Sequence, residues 1–301
     1  MKNNNLSDDN PLVSIIINCY NGEKFINYAI KSILNQSYSN WEIIFWDNRS
    51  QDKSSKIFKS YNDKRFNYFC SNKHTNLYTA RNLAFSKCNG EYITFLDVDD
   101  IWYNNKLQQQ ISILHKSEYD VCISNYDIND QVKKKIYKAF KNKKKTNHLT
   151  NDLLKEYFIG ILTVMLKKNS LNKNNKIFND QYHIIGDFDL IIKLSTNYKF
   201  YIINTSLAQY NLHLNNETNK NKLLKINEFK YWIKNNKLFY TKFKNFIYFT
   251  ETILYEEIKY NFFYYNYHAA FIIFKRIKNT KLKIKILLKF IILWIKRSKI
   301  I

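Results

Sequence analysis

An α/β fold is what the sequence predicts: a mainly parallel sheet sandwiched by helices, followed by a helical, basic C-terminal extension. Three observations carry this expectation. From Leu12 to Tyr126 short apolar runs alternate strictly with longer stretches of helical spacing, the pattern of βαβ units. The runs are continuous rather than alternating, as in strands covered on both faces. Beyond Lys220 only helical spacing persists. With 301 residues, 45% apolar and 17% aromatic, the chain has material for a real core. A disordered, collagenous or disulfide-stapled chain is excluded.

Element by element, LVSIIINCY (12–20) reads as a buried strand. KFINYAIKSILNQ (24–36) sets Phe25, Ala29, Ile33 and Ile26, Ile30, Leu34 at helical spacing. WEIIFWD (41–47) is the next strand, residues 50–61 a helix, RFNYF (65–69) a short strand and residues 79–87 a helix. EYITFL (91–96), a helix at 106–115 and VCISNY (121–126) close the series. Residues 131–150, with eight lysines and no acid, read as a mobile basic loop. A helix (151–159), a strand (162–168), a helix opened by Gly186-Asp187 and running to Thr196, and a strand-like stretch (199–213) follow.

Several chemistries are excluded early. The four glycines, Gly22, Gly90, Gly160 and Gly186, are too scattered for a GxGxxG, a P-loop or a GxSxG elbow. Cys19, Cys70, Cys88 and Cys122 form no CxxC and are expected to be structural. MKNNNLSDDN at the N-terminus lacks an apolar secretion core, so the expected compartment is the cytoplasm. Most of the net charge of +23 sits in 131–150 and in 271–301, where ten Lys or Arg stand without an acid. Such segments attract polyanions. No nucleic-acid module accompanies them, so nucleic acid is not expected as a partner.

In open α/β sheets ligands collect beyond the carboxyl ends of the strands. Asn18, Tyr20 and Asn21, then Asp47 and Asn48, then Asp97, Asp99 and Asp100 stand at those ends. LDVDD (96–100) offers carboxylates one residue apart that could reach a hard divalent cation and leave room for a diphosphate. The same spacing also suits a solvated acidic turn that caps the next helix.

The blocks PLVSIIINCYN (11–21), QSYSNWEIIFWDNRSQD (36–52), ARNLAFSKCNGEYITFLDVDD (80–100) and Trp102 with Lys106-Leu107 resemble the family 2 glycosyltransferases. The resemblance covers roughly the first 125 residues, with its blocks in the family's order. It implies the GT-A fold, a Rossmann-like α/β sandwich, and transfer of a sugar from a nucleotide-diphosphate donor with inversion at the anomeric carbon. By the same resemblance Asn18 and Tyr20 frame the nucleotide base, and Asp47, shared with Asn48, takes a uracil-like edge. Asn21, Arg81 and Val98 fall on the donor side, Asp97 contacts donor ribose or metal, and Asp99 is the principal ligand of Mn2+ or Mg2+.

The family's base lies in a Glu-Asp pair that opens a helix. Here that pair is Gly186-Asp187, so the resemblance makes Asp187 the general base and leaves its expected neighbour missing. A carboxylate at a helix start is held ionised by the dipole, which suits a base; the alternative is that Asp187 only caps the helix. Tyr210-Asn211-Leu212-His213 resembles the family's late Tyr-Arg-x-His segment, whose His joins the metal or the diphosphate. His213 is that candidate, with Asn211 in place of an arginine; a structural His is the other reading. His74, His115, His148, His183 and His268 have no partner spacing.

Along residues 281–299 a helical step of about 100° gathers Lys281, Lys285, Lys289, Lys296 and Lys299 on one ridge, opposite Ile, Leu, Phe and Trp294. Its longest apolar run is six residues, far short of the roughly 20 that span a bilayer. A helix lying on an anionic membrane surface, at the inner face of the cell membrane, is one expectation; a helix packed on protein is the other. The expected organisation is a disordered polar segment at 1–10, a catalytic domain at 11–219 and a helical extension at 220–301. Residues 11–126 form the nucleotide-sugar half of that domain and 127–219 the acceptor half. The expected partners are a nucleotide-sugar donor and a saccharide or lipid-linked acceptor of bacterial surface polysaccharide synthesis. An inactive domain acting as a scaffold in glycan assembly is the alternative, and slow metal-dependent release of nucleoside diphosphate separates the two.

Overall fold

β1 (Val13–Cys19) and β2 (Trp41–Asp47) are buried along their whole length, which is why neither alternates: a strand covered on both faces has no solvent side. They pair in parallel from Val13↔Trp41 to Cys19↔Asp47. β3 (Phe66–Cys70) adds to β2 and β4 (Tyr92–Phe95) to β1, both in parallel. The crossovers are α1 (Ile26–Leu34), α2 (Ser54–Lys59) and α3 (Leu77–Phe85). α3 starts two residues before the apolar spacing suggests, because Asn76 caps it by accepting from the Thr79 N–H at 2.8 Å. This computed structural model describes residues 10–143, 149–171, 176–214, 216–264, 266–280, 282–284 and 286–288.

β5 (Ile101–Trp102), α4 (Lys106–Leu114), β6 (Val121–Asp130) and β7 (Lys135–Lys138) follow, then α5 (Leu149–Lys155), β8 (Met165–Lys167), α6 (Gly186–Asn197) and β9 (Phe200–Leu212). The sheet order is β3-β2-β1-β4-β8-β6-β9-β5, with β7 on β6. The sheet is therefore mixed rather than mainly parallel throughout. β8 enters antiparallel between β4 and β6, while β6 and β9 run parallel. Antiparallel neighbours need no crossover helix, so three-residue β8 leaves no alternation in the sequence.

Residues 131–150, expected as a mobile loop, contain β7, which pairs with β6 from Asp127↔Lys138 to Asp130↔Lys135. All four β7 residues are exposed. The backbone satisfies its hydrogen bonds in the hairpin while the lysines stay in water. Cys19, Cys88 and Cys122 are buried, and Cys70 is exposed.

The chain divides into two units, one running through Leu149 and resuming at Phe158–Asn216, the other made of Thr150–Tyr157 and the residues from Glu217 onwards. The first holds the sheet, with Val13, Ile15, Ile17, Ile43 and Phe45 packed against α1 and α4 residues such as Ile30 and Leu107. The second holds α7 (Glu217–Lys220), α8 (Lys222–Tyr240), α9 (Phe246–Phe263) and α10 (Tyr267–Arg276). Its centre is fully buried Trp232, with the rings of Tyr240 and Phe249 at 4.9 and 5.7 Å. Among the described residues no helix is long and apolar enough to cross a membrane. Lys281, Lys285, Lys289, Lys296, Lys299 and Trp294 lie outside the described residues, as do residues 1–9.

Candidate active site

The site is built in the first unit, at the carboxyl ends of β1, β2 and β4. Asn18 faces Trp46 across the β1–β2 register, and Cys19 faces Asp47. Asn18 is only 8% exposed, yet neither its Oδ1 nor its Nδ2 has a partner, and the same is true of Trp46 Nε1. An unpaired buried polar group costs about 1–3 kcal/mol. Two of them side by side at a strand end mark a place that hydrogen-bonds something else.

The loops after β1 and β2 are tied to each other. Asn21, in the left-handed region at φ 54°, accepts from the Gln51 N–H at 2.8 Å and donates its own N–H to Ser50 Oγ at 3.0 Å. Asp47 accepts from the Ser50 N–H and from the Tyr68 hydroxyl, each at 2.7 Å. Asn48 Oδ1 takes the Thr75 N–H at 3.1 Å, and its Nδ2 donates to Thr75 O at 2.7 Å. Gly22 lets the loop close: a Cβ there would stand 3.0 Å from the side chain of Val98. Tyr20 is half exposed, and its ring lies 4.2 Å from that of His74, whose Nδ1 sits 3.1 Å from Asn48 O.

At the next strand end a buried arginine gathers acids from distant segments. Arg81 Nη2 donates to Asp97 Oδ1 at 2.7 Å and Nη1 to Asp187 Oδ1 at 2.5 Å. Burial alone would weaken the arginine's hold on its proton; Asp187 and Asp97 overcome that and raise its pKa. The pKa of Asp187 itself is raised from its ordinary value, chiefly by burial and further by Asp97, with Arg81 pulling the other way. Asp187 lies in the first turn of α6, but its side chain turns to Arg81, and the N-cap residue, Ile185, makes no side-chain cap bond.

α3 brings Asp187 there. Asn82 accepts from the Ile177 and Phe178 N–H groups at 3.0 and 2.9 Å, Asn76 donates to Asp180 O at 2.7 Å, and the Tyr78 hydroxyl donates to Ile184 O at 2.9 Å. The Tyr78 ring covers Gly186 so closely that a Cβ would fall 2.6 Å from it. That contact is the physical reason a glycine stands beside Asp187.

The last strand end closes on LDVDD. Asp100 is buried, and its Oδ1 accepts from the Asn211 N–H at 2.9 Å. Burial, with Asp99 and Asp97 nearby, pushes its carboxyl well up. The Asn211 side chain donates to Asp99 O at 2.6 Å, so this residue clamps β9 onto the acidic turn. His213 Nε2 then lies 3.1 Å from Asp99 Oδ2, Asn216 Nδ2 lies 3.3 Å from the same oxygen, and the Phe25 ring stacks on His213 at 5.5 Å. Burial and Asp97 raise the Asp99 pKa, and His213 partly offsets them.

Asp99 and His213 could hold a divalent cation. Among the described residues no three His, Cys, Asp or Glu side chains converge into a cage of their own. A hard cation that keeps phosphate oxygens and waters needs only one or two protein ligands. The donor set fits a cation shared with a diphosphate, with Asp97 beside it.

Arg81, Asp97 and Asp187 thus form one linked group and Asp99 and His213 a second, and the acidic turn contributes Asp97 to one and Asp99 to the other. Tyr20, Asn21, Asp47 and Asn48 line the neighbouring loops, with Asn18 beneath. Sequence reasoning missed Trp46, His74, Tyr78, Phe25, Asn211 as a clamp, and Asn216. None of them carries a local signal, whereas Asp100 was marked by its place within LDVDD.

The profile described as "Glycosyl transferase family 2" matches residues 14–186. An Escherichia coli relative, the UDP-Glc:alpha-D-GlcNAc-diphosphoundecaprenol beta-1,3-glucosyltransferase WfgD, is 37% identical over 164 residues, 54% of this chain and 63% of its own length. The chain therefore spans less than two thirds of that relative. A putative teichuronic acid biosynthesis glycosyltransferase of Bacillus subtilis, TuaG, is 29% identical over 215 residues, covering 70% of this chain and 83% of TuaG. Among solved structures, S. aureus TarS in complex with UDP-GlcNAc superposes with a TM-score of 0.60 at 16% identity, over 81% of this chain and 66% of TarS. The mannosyltransferase PcManGT from Pyrobaculum calidifontis, in complex with GDP-Man and Mn2+, superposes with a TM-score of 0.54 at 13% identity, over 72% of this chain and 61% of its own. These two likenesses show the fold.

Proposed function

The chain belongs to the glycosyl transferase family 2, and from that premise we propose that it moves a sugar from a nucleoside-diphosphate donor to a saccharide or lipid-linked saccharide acceptor in bacterial surface polysaccharide synthesis. The observation that supports the reading is the shared grip of Arg81 on Asp97 and Asp187, which joins the carboxylate read as the base to the acidic turn. On this reading the donor half is 11–126 and the acceptor half lies within 127–219, apart from residues 150–157 and 217–219, which belong to the second unit.

In the proposed step the acceptor hydroxyl attacks the anomeric carbon from the face opposite the diphosphate, so the configuration inverts. The new C–O bond forms as the bond to the diphosphate oxygen breaks, and the hydroxyl proton passes to Asp187. Arg81 keeps Oδ1 of Asp187 occupied, which leaves Oδ2 for that proton, and its charge, with the α6 dipole, opposes the burial that raises the Asp187 pKa. Asn18 and Tyr20 frame the base, and Asn21, Asn48 and Val98 shape the loops around it. Asp47 keeps a second lone pair on each oxygen for the N–H edge of uracil, which favours UDP as carrier. A divalent cation, Mn2+ or Mg2+, held by Asp99 and His213 with Asp97 beside them, would neutralise charge on the departing diphosphate. A peripheral position on the inner membrane face rests on the basic sequence of 281–299 and on the WfgD substrate, which is linked to a diphosphate lipid.

The test is a panel of nucleotide sugars with and without Mn2+ or Mg2+, read by thermal shift and by release of nucleoside diphosphate. A UDP-sugar is expected to raise the melting temperature and to be slowly hydrolysed, and Asp99→Ala to abolish both. If no nucleotide sugar does either with any metal, the scaffold reading replaces this one.

A further inference from the structure

The second unit contains a cavity of about 640 Å3 lined by α5, α8 and α9 together with residues 156, 157, 218 and 264. Its walls are apolar, formed by Leu153, Leu154, Ile226, Phe229, Phe249 and Ile253. Native interiors leave few voids larger than a water molecule, and this volume is in the range of small-molecule pockets. Phe263 and Tyr264, 66% and 59% exposed, extend the apolar lining into solvent.

Four lysines also line the cavity, Lys155, Lys222, Lys225 and Lys259, against two acids, Glu156 and Glu256. Lys259 is bound to Glu256 at 2.7 Å, and Lys222 has no acidic partner among the described residues. Lys225 stands 6.0 Å above the Phe229 ring. Burial lowers its pKa, and the charge of Glu256 opposes that. A lysine held among hydrocarbon walls is short of water for its charge, so an anion placed there gains more than at an open surface.

We propose that this cavity seats the hydrocarbon chain of the lipid-linked acceptor, with the lipid phosphate at Lys222 and Lys225. The inference rests on the acceptor class of the proposed function and adds a binding site to it. Apolar walls with a basic edge match an amphiphile that carries a chain and a phosphate. They do not match the chain's own residues 289–301, whose apolar run is flanked by Lys289, Lys296, Arg297 and Lys299 and contains no acid. Seating that segment would set lysine against lysine.

The experiment uses the full chain, with farnesyl phosphate, farnesol and inorganic phosphate as probes. Farnesyl phosphate is expected to bind about tenfold or more tightly than farnesol, the advantage of charge-assisted hydrogen bonds. The doubly reversed variant Lys222→Glu/Lys225→Glu should lose that advantage and keep the affinity for farnesol. Thr252→Trp, which fills the cavity without touching its charge, should weaken both. A diazirine-bearing farnesyl phosphate should label 222–229 and 249–264.

Equal affinity for phosphate and alcohol, tight binding by Thr252→Trp, or label confined to 281–301 would each overturn the proposal. Donor hydrolysis by the same preparations separates it from the reading beneath. Hydrolysis without farnesyl phosphate binding removes the cavity site and keeps the transferase. Specific binding at these lysines without hydrolysis keeps the site and removes the transferase.

Discussion

Arg81 and Asp187, 106 positions apart along the chain, form an ion pair 2.5 Å long whose guanidinium also holds Asp97. One buried cation thereby lets two acids, with Asp99 close to Asp97, share a region that like charges would otherwise force apart. An uncompensated buried charge costs several kcal/mol, so neither partner is expendable.

The pH dependence follows from the direction of the Asp187 shift. Burial, reinforced by Asp97, raises its pKa while Arg81 restrains it. If Asp187 is the base, it acts when ionised, so the acid limb of kcat should be shifted upward from an ordinary aspartate, with activity lost as pH falls through it. Arg81→Met removes the restraint and should move the limb further up. Asp187→Asn should lower kcat by about 10^2–10^4 with little change in donor KM. A limb that stays in place in Arg81→Met would show that Asp187 is not the titrating group.

Cation dependence should track Asp99 and His213. Mn2+ together with UDP is expected to raise the melting temperature of the parent chain and to leave that of Asp99→Asn unchanged. His213→Gln should retain part of the shift, because Asn216 still reaches the same carboxylate oxygen. An equal shift in Asp99→Asn would place the cation elsewhere.

The Tyr78–Gly186 contact predicts a coupled pair. Gly186→Ala puts a methyl group into the Tyr78 ring and should destabilise the chain by about 1–3 kcal/mol in urea unfolding. Tyr78→Leu makes room but loses the hydroxyl bond to Ile184 O. In the double variant the total penalty should be smaller than the sum of the two single penalties. Strict additivity would mean the ring is not what excludes a side chain at 186.

Lys106 predicts a pH-dependent stability. It is fully buried, with Nζ 2.7 Å from Gln110 Oε1, 3.0 Å from Thr94 Oγ1 and 4.0 Å above the Trp102 ring. Burial, only weakly opposed by Cys122, lowers its pKa from 10.5 to about 7. Between those values the unfolded chain binds the extra proton, so stability should rise with pH across that window and be insensitive to this group below it. Lys106→Met should abolish the rise, measured by urea unfolding at about pH 6 and about pH 9. An unchanged slope would assign it to another group.

How much of this was legible varies with the range of the interaction. β1 and β2 were plain because burial on both faces leaves an apolar run, and α1 because its buried face repeats at helical spacing. The acids at the strand ends stood out as polar breaks after apolar runs. β8 was half visible and its direction invisible, since three residues carry no orientation. β7 was hidden by its lysines, whose charge reads as loop although the backbone pairs.

The sequence by itself determined which segments enter the core and where its polar edges lie, because each residue's partition between water and interior is recorded within a few positions of itself. Tertiary structure alone decided that Arg81 would bridge Asp97 and Asp187, that Asn211 would clamp β9 onto the turn carrying Asp99, and that Tyr78 would close over Gly186. Apart from Arg81–Asp97, 16 positions apart, those contacts join residues about a hundred positions apart, and nothing local specifies them. They follow from the path of the whole backbone, in which α3 holds residues 177–184 by its Asn and Tyr side chains and so sets Asp187 in place.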